Sequence, residues 1–232
     1  MNKMNFLYKH QFATCAALLL LLWLTRYVVT GSLRYLFLLW NLFLAAIPLL
    51  MAGLAQARRW MGWRLMLSSV VWLLFFPNAP YLITDLYQLD HLAPAAPQLW
   101  YDPLMVFVAA YTGVKMGFMS LGIMEKLWQP MLWQHWFPQC STRTRVFWRQ
   151  GVLVGIFLAT GFGLFAGRVL RWNSWDVISQ PVGLLKSLAL QVWFPLQHVN
   201  TWSFTILYAL VLFVLYQFSG RKPRGVKLAA TA

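Results

Sequence analysis

The chain has 232 residues, 60% of them hydrophobic and only 10% charged, with 14 Trp and 17 Phe. Soluble domains carry about a quarter charged residues, so the composition excludes an ordinary soluble globule and implies an all-α fold, a polytopic transmembrane helical bundle. Nineteen Lys and Arg against five acids give a formal charge of +14, but these cations flank apolar runs, where they set topology rather than grip nucleic acid.

Lys3 and Lys9 precede the first apolar run, 11–29. It reads as a first span rather than a cleaved signal peptide, because the run continues past Arg26 and no A-x-A site follows. The second span, 35–55, has no charged residue, and Pro48 is expected to kink it. Arg58, Arg59 and Arg64 then form a cationic loop. The third span, 62–83, is unusual, because its uninterrupted stretch from Leu65 to Phe76 is followed by Pro77 and Pro80. Such a stretch makes only about 18 Å of helix, too short to cross alone. Both prolines lack an N–H and disfavour helix in the preceding residue, so a break is expected at 77–80, with the freed carbonyls buried in protein or lining a wet cavity. A short amphipathic helix is expected over 81–92.

Asp102 before Pro103 reads as an N-cap with Pro at the first helical position, opening a fourth span over 103–124. Lys115 inside it either snorkels inward or serves as a counter-charge on a transport path. The stretch 125–149 interleaves Trp128, Trp133, Trp136 and Trp148 with Lys126, Arg143, Arg145 and Arg149, and reads as an interfacial loop. A fifth span follows over 151–167. Gly113/Gly117 on the fourth and Gly151/Gly155 and Gly163/Gly167 on the fifth predict that these two helices pack together. The segment 184–199, with Lys186, Gln191, Pro195 and His198, reads as an interfacial helix. The last span is 201–218, before a basic tail.

The architecture expected is about six spans plus interfacial helices in one domain over 1–232, with the lipid bilayer as partner. Thirteen of the nineteen Lys and Arg then fall on the side of both termini, five on the other, and Lys115 within a span. This places both termini in the cytoplasm. Cys15 and Cys140 lack a C-x-x-C pattern, so neither a disulfide nor a zinc site is implied.

On this topology two segments distant in sequence meet at the outer face. They bring Asn78, Tyr81, Asp85, Asp90, His91 and Asp102 from one, and Arg168, Arg171, Asn173 and Asp176 from the other. Ionisable groups at membrane depth are costly and mark a candidate site. Asp85 is expected to pair with Arg168 or Arg171, which lie at i,i+3 and suit an anion. Asp102 reads first as a helix cap and Asp90 and His91 first as solvated surface, ahead of any site role, and Asp176 alternatively as a turn residue. The carboxylates and His91 match no metal signature, and the sequence leaves any cofactor unknown.

The motifs PNAPY (77–81), TD (84–85), WYD (100–102), GR (167–168) and NSWD (173–176) carry a resemblance. The chain resembles the bacterial membrane-protein family catalogued as domain of unknown function 1361, over roughly 35–218. The resemblance implies a multi-pass membrane protein whose shared polar residues lie in the two outer segments, and no activity. Three readings stay open: binding or transport of a small solute or ion, an enzyme acting on a lipid or phosphate-bearing substrate at the outer face, and a structural or accessory membrane protein.

Overall fold

In a computed structural model, residues 3–87, 100–132, 139, 141–172 and 176–219 are described. They form α1 (Lys3–Thr30), α2 (Leu36–Ala57), α3 (Trp63–Phe75), α4 (Asn78–Thr84), a 3₁₀ turn (Asp85–Tyr87), α5 (Asp102–Gln129), α6 (Thr142–Arg168), the one-turn α7 (Asp176–Ser179), α8 (Pro181–Trp193) and α9 (Val199–Ser219). No strand occurs among them. Among the described residues, six stretches are long and apolar enough to cross a membrane: Gln11–Thr30, Leu36–Ala57, Trp63–Tyr87, Asp102–Leu132, Thr142–Arg168 and Val199–Ser219. The protein is a multi-pass membrane protein. Its outer surface fits lipid: Val28 is 82% exposed and Val70 68%, a pattern that water would penalise and hydrocarbon does not.

Two apolar clusters hold the bundle. One gathers Trp72, Phe118, Phe157 and Tyr216 from α3, α5, α6 and α9. Its rings meet edge-on, Phe118 with Phe157 at 6.3 Å and with Tyr216 at 5.2 Å, a favoured aromatic geometry. The other gathers Leu19, Leu38, Ala79, Leu82 and Met105 from α1, α2, α4 and α5. Because α5 contributes to both, it is the central strut, and α4 is packed inside the bundle rather than at its edge.

Several boundaries differ from those the sequence predicts. α5 runs on to Gln129 and stops at Pro130, and α6 begins at Thr142, nine residues before the expected start. Ser141 is the reason: its Oγ accepts from Thr144 N at 3.2 Å and caps the helix. The stretch 125–149 is therefore helical at both ends: Lys126 sits on α5, and Arg143, Arg145 and Arg149 sit on α6. Trp133 and Trp136 lie outside the described residues. α8 spans Pro181–Trp193, about 20 Å at 1.5 Å per residue, and is too short to cross. It begins and ends earlier than the expected 184–199, and α9 takes up the chain at Val199.

Helix hydrogen bonding is interrupted between Phe75 and Asn78, at the leading edge of the expected 77–80 break. The interruption is subtle, since Phe76 and Pro77 keep right-handed helical dihedrals. Pro80 falls inside the first turn of α4, where a missing N–H costs nothing. The carbonyls are satisfied locally, Asn78 Nδ2 donating to Phe75 O at 3.0 Å and Ala79 N to Phe76 O at 3.1 Å. The break is buried in protein, one of the two settings expected: Phe76, Ala79 and Pro80 are buried. Of the short helix expected over 81–92, the α-helical part reaches Thr84 and a 3₁₀ turn follows to Tyr87; 88–92 lie outside the described residues.

Candidate functional site

The PNAPY segment is clasped from two sides by glycines. A Cβ added at Gly113 of α5 would overlap Ala79 O and Leu82 Cδ1, and one at Gly117 would lie 3.0 Å from Ala79 Cβ. On α6, a Cβ at Gly163 would lie 2.8 Å from Pro77 Cγ, and one at Gly167 3.2 Å from Tyr81 Cε2. The glycine pairs therefore admit α4 and do not join α5 to α6, which corrects the packing expected from their spacing. Gly151 and Gly155 meet nothing within 4 Å.

This clasp places the end of α4 against the last residue of α6. Asp85 has a fully buried side chain and forms an ion pair with Arg168 through Oδ1 and Nη2. Its Oδ2 accepts from Asn41 Nδ2 of α2 at 3.1 Å. Arg168 also donates from Nε and Nη2 to Thr84 Oγ1, at 2.9 and 2.6 Å. Its Cζ stands 4.5 Å from the centroid of the Tyr81 ring, within cation–π range. Position matters too, because a cation in the last turn of a helix meets its negative end. Three residues of one short segment, Tyr81, Thr84 and Asp85, thus hold a single guanidinium, and Asn41 completes the carboxylate's shell.

A second pair lies at the same end of the bundle. Arg26 Nε donates to Asp102 Oδ1 at 3.0 Å, with side chains 0% and 1% exposed. Arg26 also reaches Thr30 Oγ1 at 3.4 Å and stands over the Tyr35 ring at 5.0 Å. Burial pushes the Tyr35 phenol up, and Asp102 adds to that against Arg34 and Arg26. Asp102 is not an N-cap: it is the first residue of α5, with Tyr101 in the cap position, and its carboxylate is turned to Arg26.

Arg171 is exposed, takes a left-handed φ of 60° beyond the end of α6, and makes no ion pair among the described residues. Asp176 opens α7 and accepts from Ser179 Oγ at 3.1 Å. Asp90, His91 and Asn173 lie outside the described residues. Among those described, no three of His, Cys, Asp and Glu gather as metal ligands do. Lys115 lies over the Tyr111 ring at 5.8 Å, one turn toward the Asp102 end of α5.

Beside the Asp85 pair opens a groove of about 380 Å³, lined among others by Asn41, Asn78 and Tyr81, by Gly163 and Gly167 of α6, and by Leu184 and Leu185 of α8. Its size falls in the range of small-molecule pockets, about 300–1,000 Å³. α8 is held beside it by Trp172 Nε1, which donates to Ser187 Oγ at 3.1 Å, and by Thr201 Oγ1, which donates to Gln191 Oε1 at 2.6 Å.

A family model described as "Protein of unknown function (DUF1361)" matches residues 40–215, from α2 through most of α9. The chain belongs to this DUF1361 family. No curated protein and no solved structure matches it. The matched region includes Asn41, PNAPY, Asp85, Asp102 and Arg168, and leaves out Arg26.

Sequence reasoning missed Arg26, Asn41 and Tyr35. Arg26 was counted toward topology, although a cation inside an apolar run demands a partner. Asn41 is the one side-chain amide in the otherwise charge-free second span, and buried amides seek partners.

Proposed function

We propose that this DUF1361 protein binds a small amphiphilic ligand, a polar group on an apolar body, in the groove beside Asp85 and Arg168. The observation that carries the reading is the groove's make-up: Asn41, Asn78 and Tyr81 stand on a wall otherwise built of Leu, Pro, Ala, Gly, Phe and Trp residues. A few polar groups in an apolar concavity fix a ligand's orientation while burial supplies affinity. Asn41 gives one amide hydrogen to Asp85, and an amide has a carbonyl oxygen and a second N–H besides. The charged pair frames this wall. Catalysis by Asp85 is disfavoured, since a general base must reach a substrate proton, and this carboxylate is buried with both oxygens engaged.

In this reading the protein sits in a bacterial inner membrane. The thirteen-to-five distribution of Lys and Arg orients both termini to the cytoplasm and the groove outward.

The test is native mass spectrometry of protein extracted in mild detergent, compared with Leu185→Trp. Leu185 is 66% exposed and lines the groove, so the larger ring fills the space without disturbing the core. The wild type should retain a small molecule that the variant loses at unchanged melting temperature. Equal retention by both proteins, or none by either, overturns the reading.

A further inference from the structure

Among the described residues that line the groove beside Asp85, none is charged. The adjacent cation, Arg168, is engaged by the Asp85 carboxylate, by Thr84 Oγ1 and by the Tyr81 ring, so the pair offers no net charge to a ligand. A phosphate or an ammonium entering here would give up water without meeting an opposite charge, which is costly. An uncharged headgroup avoids that cost.

The hydrogen-bonding groups narrow the choice further. Asn78 Nδ2 donates to Phe75 O at 3.0 Å and Trp172 Nε1 to Ser187 Oγ at 3.1 Å, so both are committed within the protein. Asn41 is oriented by its neighbour: an ionised carboxylate only accepts, so the amide nitrogen faces Asp85 Oδ2, at 3.1 Å, and Oδ1 is turned away from it. Asn41 Oδ1 and the Tyr81 hydroxyl make no hydrogen bond among the described residues, and neither atom is sealed from solvent. A ligand that covers them must bring a proton for Asn41 Oδ1 and an oxygen that Tyr81 can donate to. A hydroxyl does both, whereas an ester, a ketone or a quinone only accepts and would leave the amide oxygen unpaired. The groove's apolar side is open on the flank of the bundle, with Leu74 39% and Leu185 66% exposed, so the ligand's body can enter from the hydrocarbon. Building on the reading of this groove as an amphiphile site, we infer that its ligand is a neutral lipid alcohol. Its free hydroxyl is held by Asn41 Oδ1 and the Tyr81 hydroxyl, and its acyl or isoprenoid body lies along Leu74, Leu185 and Leu188.

The test titrates protein purified in a neutral detergent with dioleoylglycerol, a long-chain polyprenol, the acetate ester of each, and phosphatidic acid, read by native mass spectrometry. The two alcohols separate the acyl from the isoprenoid source. At least one should bind, and its acetate should bind about tenfold more weakly, the effect of leaving one covered acceptor unpaired. Phosphatidic acid should bind more weakly than the alcohol. Tyr81→Phe keeps the ring under Arg168 and should weaken the alcohol about fivefold, the value of one hydrogen bond. Should Tyr81→Phe fail to fold, the comparison of alcohol with acetate in the wild type carries the test. Leu185→Trp should abolish binding of the alcohol. Equal binding of alcohols, acetates and phosphatidic acid, all lost in Leu185→Trp, overturns the choice of headgroup and leaves the groove a binding site. A preference for phosphatidic acid, or binding of neither alcohol, also overturns it. Alcohol binding that survives Leu185→Trp removes both the headgroup and the groove.

Discussion

Asp85 has no exposed side-chain surface, and Arg168 and Asn41 each engage one of its oxygens. A buried ion pair of this kind contributes little net stability over an apolar replacement, but removing one partner strands the other charge. The same logic governs Arg26 and Asp102, which are 0% and 1% exposed. Asp102→Ala should cost about 3–5 kcal/mol in reversible unfolding, by leaving the guanidinium uncompensated. Adding Arg26→Leu should recover part of that loss. A loss under 1 kcal/mol in the single variant would show the pair to be solvated. The Asp85 partnership was legible because two arginines open the other motif-rich segment; which one served was not. The α-helix ends at Arg168, and the left-handed Arg171 three residues on is carried out to the surface. Asp102 misled for a local reason: Asp before Pro is a strong cap signal, whereas its actual partner is 76 positions away.

The helices themselves were legible from hydropathy, and the interruption near Pro77 from the prolines. Their ends and packing were less so. Small residues at i,i+4 announce a close approach without naming what approaches. Here Gly113/Gly117 and Gly163/Gly167 receive α4 from its two sides. Gly113→Ala would force its methyl into Ala79 O and Leu82 Cδ1, both within the buried α4 segment. Overpacking of this kind costs about 1–3 kcal/mol. It should also disturb the Asp85 turn, which is carried by the same segment. Gly155→Ala, with nothing within 4 Å, is the matched control and should be neutral or slightly stabilising, since Ala favours helix over Gly by about 1 kcal/mol. Thermal unfolding in detergent separates the two, and equal effects would remove the clasp from the account.

At the scale of the molecule, the proposed topology of six crossings has both chain ends on one face, which the skew of Lys and Arg assigns to the cytoplasm. Reporter fusions at Ala232 and within 93–97 should report opposite sides of the membrane, the C-terminal one cytoplasmic; both on one side would reject this topology. Composition and charge made the membrane class and the number of spans legible, because lipid imposes length and polarity on every crossing. The groove was not legible, because it depends on how α8 lies against α6. The account rests on the Asp85–Arg168 pair joining α4 to α6 and framing that groove. A double-mutant cycle over Asp85→Ala and Arg168→Leu, read by reversible unfolding in detergent, tests it most directly. The account predicts that Asp85→Ala alone costs about 3–5 kcal/mol, that Arg168→Leu is also destabilising, and that the double variant loses clearly less than the sum. Strictly additive losses, or single variants as stable as the wild type, would contradict it.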